Sequence, residues 1–203
     1  YSTSGSVASW KLGGSWQVND VLRFRATQSR DIRAPSLDEL FSGASSANFN
    51  VFDRDTGTSY LVQSVSSGNA DLDPEEADTT TAGIVLSPLP NLMMSLDYYR
   101  ISVDKAITTF QASAIVDRCY GGQPQLCDLI VRDPDSGLIS YVEVSPQNLQ
   151  SMLVSGADFE LSYSTPLGNG ELAVPSLVSY VDTLELDDGE TVTQLAGSTD
   201  QPT

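Results

Sequence analysis

The sequence predicts an all-β fold, an antiparallel segment of a transmembrane β-barrel with about six strands, and three observations support this. Six segments alternate apolar and polar residues, each close to the ~9–11 residues that a tilted barrel strand needs to cross a membrane. Their connections alternate between short and long. No apolar run approaches the ~18 residues of a membrane-spanning helix. The predicted strands lie near residues 9–18, 21–30, 78–86, 92–103, 155–164 and 171–181.

The second segment shows the alternation most clearly. Leu22 and Phe24 point one way, while Arg23 and Arg25 point the other. A period of two means an extended strand with one apolar and one polar face. The segment near 78–86 is a weaker case, and Pro175 makes the segment 171–181 ambiguous because proline removes a hydrogen-bond donor from the sheet.

A short helix is predicted after the second strand. Proline is favoured at the first helical position, which would place Pro35 there, and Asp38 and Glu39 then fall in the first turn, where the helix dipole favours acids. Leu37 and Phe41 would share one helical face with Leu40. The long second strand is therefore expected to end in a small capped helix.

The connections between the strands predict how the segment sits in a membrane. Short turns lie at residues 19–20, 87–91 and 165–169, and two connections of about 50 residues span 31–77 and 104–154. A membrane barrel has short periplasmic turns and long extracellular loops. A soluble sandwich more often has short loops at both ends. The acidic tail 186–203 is interpreted as part of a further outer loop.

The polar faces of the strands are predicted to line the barrel lumen, because the apolar faces of a membrane barrel contact lipid. The charged residues on these polar faces could form a row that contacts a domain inside the barrel, or they could line a wet interior, and both interpretations stay open. The predicted lumen-facing residues are Arg23, Arg25, Asp97, Asp158 and Glu160.

Composition argues against several classes of function. The net charge is −17, from 27 acids against 10 bases, so nucleic acid is not expected as a partner. The chain has no histidine, which excludes Ser-His-Asp and Cys-His catalysis and leaves a structural zinc site without ligands. No enzyme activity, cofactor or metal is predicted. Acidic clusters at 71–78 and 185–190 are interpreted as solvated surface rather than as calcium sites.

Cys119 and Cys127 enclose a short loop with two glycines and a proline. In an oxidising compartment, two cysteines at this spacing indicate one disulfide. Two buried thiols and half of a metal site remain as alternatives.

Four short motifs resemble those of TonB-dependent outer-membrane receptors, in the order of that family. Arg30–Phe41 resembles R-A-P-S-L-x-E-L-F, and Asn69–Glu75 is similar to N-P-x-L-x-P-E with Ala70 where proline is usual. Asp97–Ile101 resembles the D-Y-Y-x-I strand, and Gly156–Glu160 resembles the G-x-E-x-E strand. The resemblance covers roughly residues 9 to 181.

The resemblance implies a location and a function. It implies an interior piece of the barrel domain, with the plug domain, the TonB-binding box and the terminal strand absent from this sequence. The location would be the outer membrane of a Gram-negative bacterium. The function would be active uptake of a scarce extracellular ligand, such as an iron chelate, cobalamin or an oligosaccharide. The expected partners are outer-membrane lipid, the TonB complex through the plug and box, and an extracellular small-molecule ligand.

Candidate ligand contacts lie in the two long loops, at residues 48–68 and 120–148. Exposed aromatic side chains there could contact a ring-bearing ligand, or they could pack the loops against each other. These candidates are Phe49, Phe52, Tyr60, Tyr120 and Tyr141.

Arg30 and Arg33 are further candidates, because guanidinium groups bind carboxylates and phosphates at two points. The favoured alternative is local ion pairing with Asp31, Asp38 or Glu39.

A rival interpretation is a secreted soluble β-sandwich, or a surface adhesin or binding module, without a transport role. An apolar row separates the two, since a sandwich would bury it under a second sheet and a barrel would expose it to lipid. That row is Leu22, Phe24, Leu96, Tyr98, Phe159 and Leu161.

Overall fold

The computed structural model describes residues 7–189 and 191–197, and it contains a strand at each of the six predicted places. Glu190 of the second acidic cluster and the end of the predicted loop 186–203 therefore lie outside the described residues. The elements in chain order are β1 Trp10–Gln17, β2 Leu22–Arg33, α1 Leu37–Phe41, β3 Ser45–Asp53, β4 Thr58–Ser66, β5 Glu75–Leu89, β6 Leu92–Thr108, α2 Ala112–Gly121, a 3-10 helix Pro124–Leu129, β7 Ile130–Arg132, β8 Ile139–Val144, β9 Gln147–Leu167, β10 Gly170–Asp187 and β11 Val192–Gln194.

The long strands form one antiparallel sheet in the order β1-β2-β5-β6-β9-β10-β11. We call it the barrel sheet. Pro175 lies within β10, opposite Ser162 of β9.

Several strands extend further than the sequence predicted. β6 has 17 residues and β9 has 21, and both continue on the side of the long loops. The predicted ends at residues 103 and 155 were wrong because alternation fades above the apolar band while the backbone ladder continues, with bulges. The tail also differs from the predicted loop, since β10 runs to Asp187 and β11 pairs with it.

The helix α1 begins later than predicted. Ser36 is its N-cap and accepts a hydrogen bond from the Glu39 N–H, while the Glu39 side chain bonds back to the Ser36 N–H in a capping box. Pro35 therefore precedes the cap. Leu40 is buried, but Leu37 is 74% exposed, so the predicted shared face is only partly used.

The two long loops fold together into a second unit, which we call the loop layer. Its four strands have the order β3-β4-β8-β7, and α2 and the 3-10 helix accompany them. Apart from the short helix α1 at the root of the first loop, the sequence predicted no strands or helices in these two loops. The central pair, β4 and β8, is parallel and joins Gln63 to Tyr141, a long-range pairing that alternation within either loop does not reveal.

The principal hydrophobic core lies in the loop layer. The disulfide Cys119–Cys127 is present and joins α2 to the 3-10 helix beside this core. The core consists of Val51, Val62, Ala112, Ile115, Val116, Leu126, Ile139 and Val142.

The apolar face of the barrel sheet is uncovered by any described element. Phe24 is 37% exposed, Leu96 52% and Phe159 37%. A sandwich would bury these side chains, so this arrangement is the one expected of a barrel. Among the described helices, none combines the length and apolar character needed to span a membrane.

Candidate functional site

The opposite face of the barrel sheet carries a row of charged residues. Across four neighbouring strands, Arg25, Gly83, Asp97 and Asp158 are successive partners in register. Residues two apart in a strand share a face, so Arg23 lies beside Arg25 and Glu160 beside Asp158 on this same surface. We call it the inner face. It brings together all five residues that the sequence predicted to face the lumen.

One ion pair crosses the inner face. The Arg25 Nε donates to Asp97 Oδ1 at 2.7 Å, and Nη2 donates to Oδ2 at 2.5 Å. The strand β5 lies between the two partners, and Gly83 is the residue beneath the pair. Any Cβ at this position would overlap the Asp97 carboxylate. Glycine is therefore what lets the two side chains meet across the intervening strand.

A second glycine, Gly156, allows close approach on β9, where the backbone carbonyl oxygen of Tyr180 on β10 is the atom nearest to an added Cβ. An added Cβ at Gly156 of β9 would lie 2.6 Å from the Tyr99 hydroxyl. The Tyr99 ring therefore lies low over β9, as Asp97 leans over β5. The side chains of Asp97 and Tyr99 thus lie along the sheet wall rather than projecting away from it.

Three inner-face charges are not neutralised locally. Within the described residues, Arg23, Asp158 and Glu160 form no salt bridge. Unpaired charges of both signs on a sheet face are suited to a hydrated surface or to polar contacts with another domain.

The structure places Arg30 and Arg33 on opposite faces of β2, so they do not form one binding fork. Arg30 is bound at two points by Asp78, at 2.9 and 2.7 Å, and Glu76 lies at 3.3 Å. The predicted ion pairing exists, but the predicted partner Asp31 is not among the residues that bind Arg30.

Arg33 joins two of the sequence motifs. Its Nε and Nη2 donate to both oxygens of Glu75 at 2.6 Å, and its other contacts reach Glu39 at 3.2 Å. The hydrogen bond from the Ser36 backbone N–H is the main reason why the pKa of Glu39 lies below its usual range, and Arg33 also lowers it. Asp38 takes no part, so of the local acids proposed as partners only Glu39 is correct.

Further bonds hold the second motif against α1 and the second long loop. The Asn69 N–H donates to the Glu39 carbonyl at 2.8 Å, and its side-chain amide donates to the Pro146 carbonyl at 2.9 Å. Glu75 also accepts the Ile107 N–H at 2.8 Å. This junction fixes the roots of both long loops on the end of the barrel sheet.

Most of the aromatic candidates are less exposed than the sequence predicted. Phe49, Tyr60 and Tyr120 are half-buried and pack against the core of the loop layer. Tyr141 is also half-buried, on β8. Phe52 is 55% exposed, because alternation along β3 turns it away from the core.

A buried carboxylate explains why two of these tyrosines point inward. Asp53 is fully buried, and both of its oxygens accept hydrogen bonds from Arg132 at 2.9 Å. The Tyr60 hydroxyl donates to it at 2.7 Å and the Tyr120 hydroxyl at 3.1 Å. We call these four residues the Asp53 cluster.

The Asp53 cluster shifts the pKa of its members strongly. Hydrogen bonding from Arg132, helped by the two tyrosines, holds the pKa of Asp53 far below its usual range. Burial, together with the carboxylates of Asp55 and Asp53, raises the pKa of Tyr120 to about 12. Sequence reasoning missed Asp53 and Arg132, because they are 79 residues apart and neither belongs to a recognisable motif.

The described acidic side chains of the two clusters do not converge into a metal site. Asp73 and Glu76 pair with Lys105, and Asp188 pairs with Arg118. Within the part of the chain that the structure describes, no group of three or more ligating side chains converges.

Long antiparallel strands with an uncovered apolar face and a charged opposite face define a segment of a membrane β-barrel. The sequence matches the family described as "TonB dependent receptor-like, beta-barrel" over residues 1–201. The chain therefore belongs to this family. None of the curated proteins matches the chain.

Solved structures with the same fold include receptors and an importer. A mutant of the ferric enterobactin receptor PfeA from Pseudomonas aeruginosa has a TM-score of 0.63 at 18% identity, over 90% of this chain and 23% of that one. The siderophore receptor PirA from Acinetobacter baumannii has 0.61 at 17%, over 91% and 25%. The RagAB peptide importer has 0.51 at 16%, over 92% and 18%. The chain thus spans about a quarter or less of the length of these structures.

Proposed function

We propose that the protein containing this chain is an active transport receptor in the outer membrane of a Gram-negative bacterium. It takes up a scarce extracellular ligand with energy from the TonB complex. The observation that carries the proposal is the barrel sheet, which exposes an apolar band on one face and carries Arg25, Asp97 and Asp158 side by side on the other. Membership of the receptor family supports the same conclusion.

An iron chelate is the ligand class that we propose first, ahead of cobalamin and oligosaccharides. The support is that PfeA and PirA, which share the fold, are named as ferric enterobactin and siderophore receptors. This ligand is cargo, and the described residues need hold no metal of their own.

Within this segment we propose a division of labour. The loop layer presents the ligand-facing surface, with Phe52 as its most exposed aromatic candidate. Arg30 and Arg33 hold the loop roots through their ion pairs rather than binding ligand. The unpaired charges Arg23 and Glu160 contact a plug domain or a hydrated lumen. None of these three roles involves a catalytic step.

The membrane orientation is tested by cysteine labelling of the full-length receptor in outer-membrane vesicles. Phe24→Cys and Phe159→Cys lie on the apolar face, and Arg23→Cys and Glu160→Cys are matched controls on the inner face of the same strands. A maleimide confined to the lipid phase is expected to label the first pair and not the second. Equal labelling of the two pairs, or a parent that stays soluble without detergent, contradicts the proposal.

The role of Phe52 is tested by uptake of radiolabelled ferric siderophores into iron-starved cells. Phe52→Ala is expected to weaken apparent affinity about tenfold, since an aromatic contact in a binding site is typically worth one or more kcal/mol. Leu89→Ala is the matched control, because Leu89 is similarly exposed (52%) but lies at the short-turn end. Unchanged affinity in Phe52→Ala removes this residue from the ligand surface.

A further inference from the structure

The apolar face of the barrel sheet changes character near the long-loop end. One row of partners in register, running from β1 to β6, consists of Leu12, Gln28, Thr80 and Arg100. Three of these four side chains are polar, and all four are exposed. The next row toward the short turns is Gly14, Ala26, Ala82 and Tyr98, and the apolar band begins there.

Arg100 is unusual among the arginines near this boundary. Arg30, one row closer to the loops on the same face, is bound by Asp78 and Glu76. Arg100 has no carboxylate within salt-bridge distance in the described part of the chain. Its guanidinium therefore lies on the outer face, at the edge of the apolar band, with its charge unmatched by the protein.

A groove lies directly beneath this row. Its volume is about 710 Å³, and its floor is low because Gly14, Ala26 and Ala82 are small. Trp16 and Phe24 form its wall on the side of the short turns, and their rings stack at 6.2 Å between centroids. Leu96 and Tyr98 of β6 line the side of the groove opposite β1. The groove is thus a largely apolar slot that opens outward, and Arg100 lies one row beyond its lining residue Tyr98 on β6, toward the long loops.

We infer that the groove and Arg100 together bind one anionic lipid of the surrounding leaflet. The acyl chain lies in the groove, and the headgroup phosphate contacts Arg100, with Gln28 and Thr80 supplying further hydrogen-bond donors. A planar guanidinium fork matches a phosphate, and an unmatched cation at the edge of an apolar band attracts anionic lipid. This inference rests on the proposed function in one respect, that the apolar face lies in a bilayer.

Trp16 makes the site measurable by fluorescence. Lipids with brominated acyl chains are titrated into the full-length receptor in detergent micelles, and quenching of Trp16 is obtained by subtracting the signal of a Trp16→Phe variant. Brominated phosphatidic acid is compared with brominated phosphatidylcholine. We expect half-maximal quenching at about fivefold lower content of phosphatidic acid, the preference typical of one arginine near a membrane surface.

Variants on the two faces provide the control. Arg100→Gln is expected to make the two lipids equivalent while quenching persists. Arg23→Gln removes a charge that is also exposed, but on the inner face, and is expected to keep the fivefold preference. Inorganic phosphate in tenfold excess over the lipid is expected to leave the preference unchanged. Loss of the preference under free phosphate would mean that a soluble anion occupies Arg100, which overturns the lipid assignment.

The outcomes separate this site from the proposed function. Equal quenching by both lipids in the unmodified receptor, or a preference that survives Arg100→Gln, overturns the lipid site and leaves the transport proposal standing. Absence of Trp16 quenching by every brominated lipid overturns both, because the apolar face would then not contact lipid.

Discussion

Arg25 and Asp97 form a two-point ion pair although a whole strand separates the strands that carry them. Residues directly paired across one strand boundary have Cβ atoms ~5 Å apart, and here two boundaries are crossed. Gly83 makes the crossing possible because it leaves the surface of β5 bare beneath the Asp97 carboxylate. The ion pair on the inner face therefore depends on a residue that has no side chain.

Gly83→Ala is expected to lower the free energy of unfolding of the full-length receptor by about 1–3 kcal/mol. Its methyl group would overlap Asp97 and push the carboxylate away from Arg25. Urea unfolding in detergent measures the effect. Gly14→Ala is the matched control, since a Cβ there meets nothing within 4 Å. Equal stability of the two variants would show that the crossing ion pair does not depend on Gly83.

From the contacts of the Asp53 cluster, we predict that this one carboxylate contributes strongly to the stability of the loop layer. Asp53→Asn is expected to lower the free energy of opening of the loop layer by about 3 kcal/mol, because Arg132 loses its buried partner. Hydrogen exchange of the β3 and β8 amides measures this free energy of opening.

Asp55→Asn is the control for that substitution. Asp55 contacts the same guanidinium at 3.1 Å, but its side chain is 60% exposed. An exposed ion pair contributes at most about 1 kcal/mol, so this variant should change the opening free energy by less than that. A result in which Asp55→Asn is the more damaging change contradicts the assigned role of Asp53.

The same carboxylate predicts how the loop layer responds to acid. The pKa of Asp53 is lower in the folded chain than its ordinary value of 3.8, so the folded state binds fewer protons there than the unfolded state. The contribution of Asp53 to the stability of the folded loop layer is complete above about pH 5. It is lost as the pH falls below about 4 toward the folded-state pKa. Hydrogen exchange, corrected for intrinsic rates, should show the opening free energy falling in this acid range.

Asp53→Asn is expected to remove most of that dependence, because an amide does not titrate. A variant that keeps the full acid sensitivity of the unmodified receptor would assign the effect to other carboxylates of the loop layer, with Asp133 the next to test, since its pKa is also held low by hydrogen bonds from Ser136.

The sequence indicated where the long strands lie, though not all their ends, and it did not indicate the strands of the loop layer, for a physical reason. In β2 and β6, alternation repeats within one segment, so the local sequence is enough to indicate a strand and its faces. The loop-layer strands pair over long distances, as Gln63 does with Tyr141, and no local pattern encodes that partner. The same limit applies to the sites. Ion pairing of Arg33 was anticipated, but its partner Glu75 became visible only through the register of β2 and β5.

The disulfide predicts a further property of the loop layer. Cys119 and Cys127 are eight residues apart and join α2 to the 3-10 helix, both of which contribute side chains to the core. Closing a loop of this length restricts the unfolded chain by about 2.5 kcal/mol in the chain-entropy account. Replacing both cysteines by serine is therefore expected to lower the opening free energy of the loop layer by about this amount.

Hydrogen exchange of the α2 amides measures the loss, and the barrel sheet provides the internal control. Amides of β5 and β6, which pair with each other outside the loop layer, should keep their protection. Treating the unmodified receptor with a reductant should reproduce the exchange of the double variant, since both lack the same cross-link. If the variant instead lost protection equally in β5, the loop layer and the barrel sheet would open as one cooperative unit. The junction of Arg33 with Glu75 and Glu39 would then transmit the change between them.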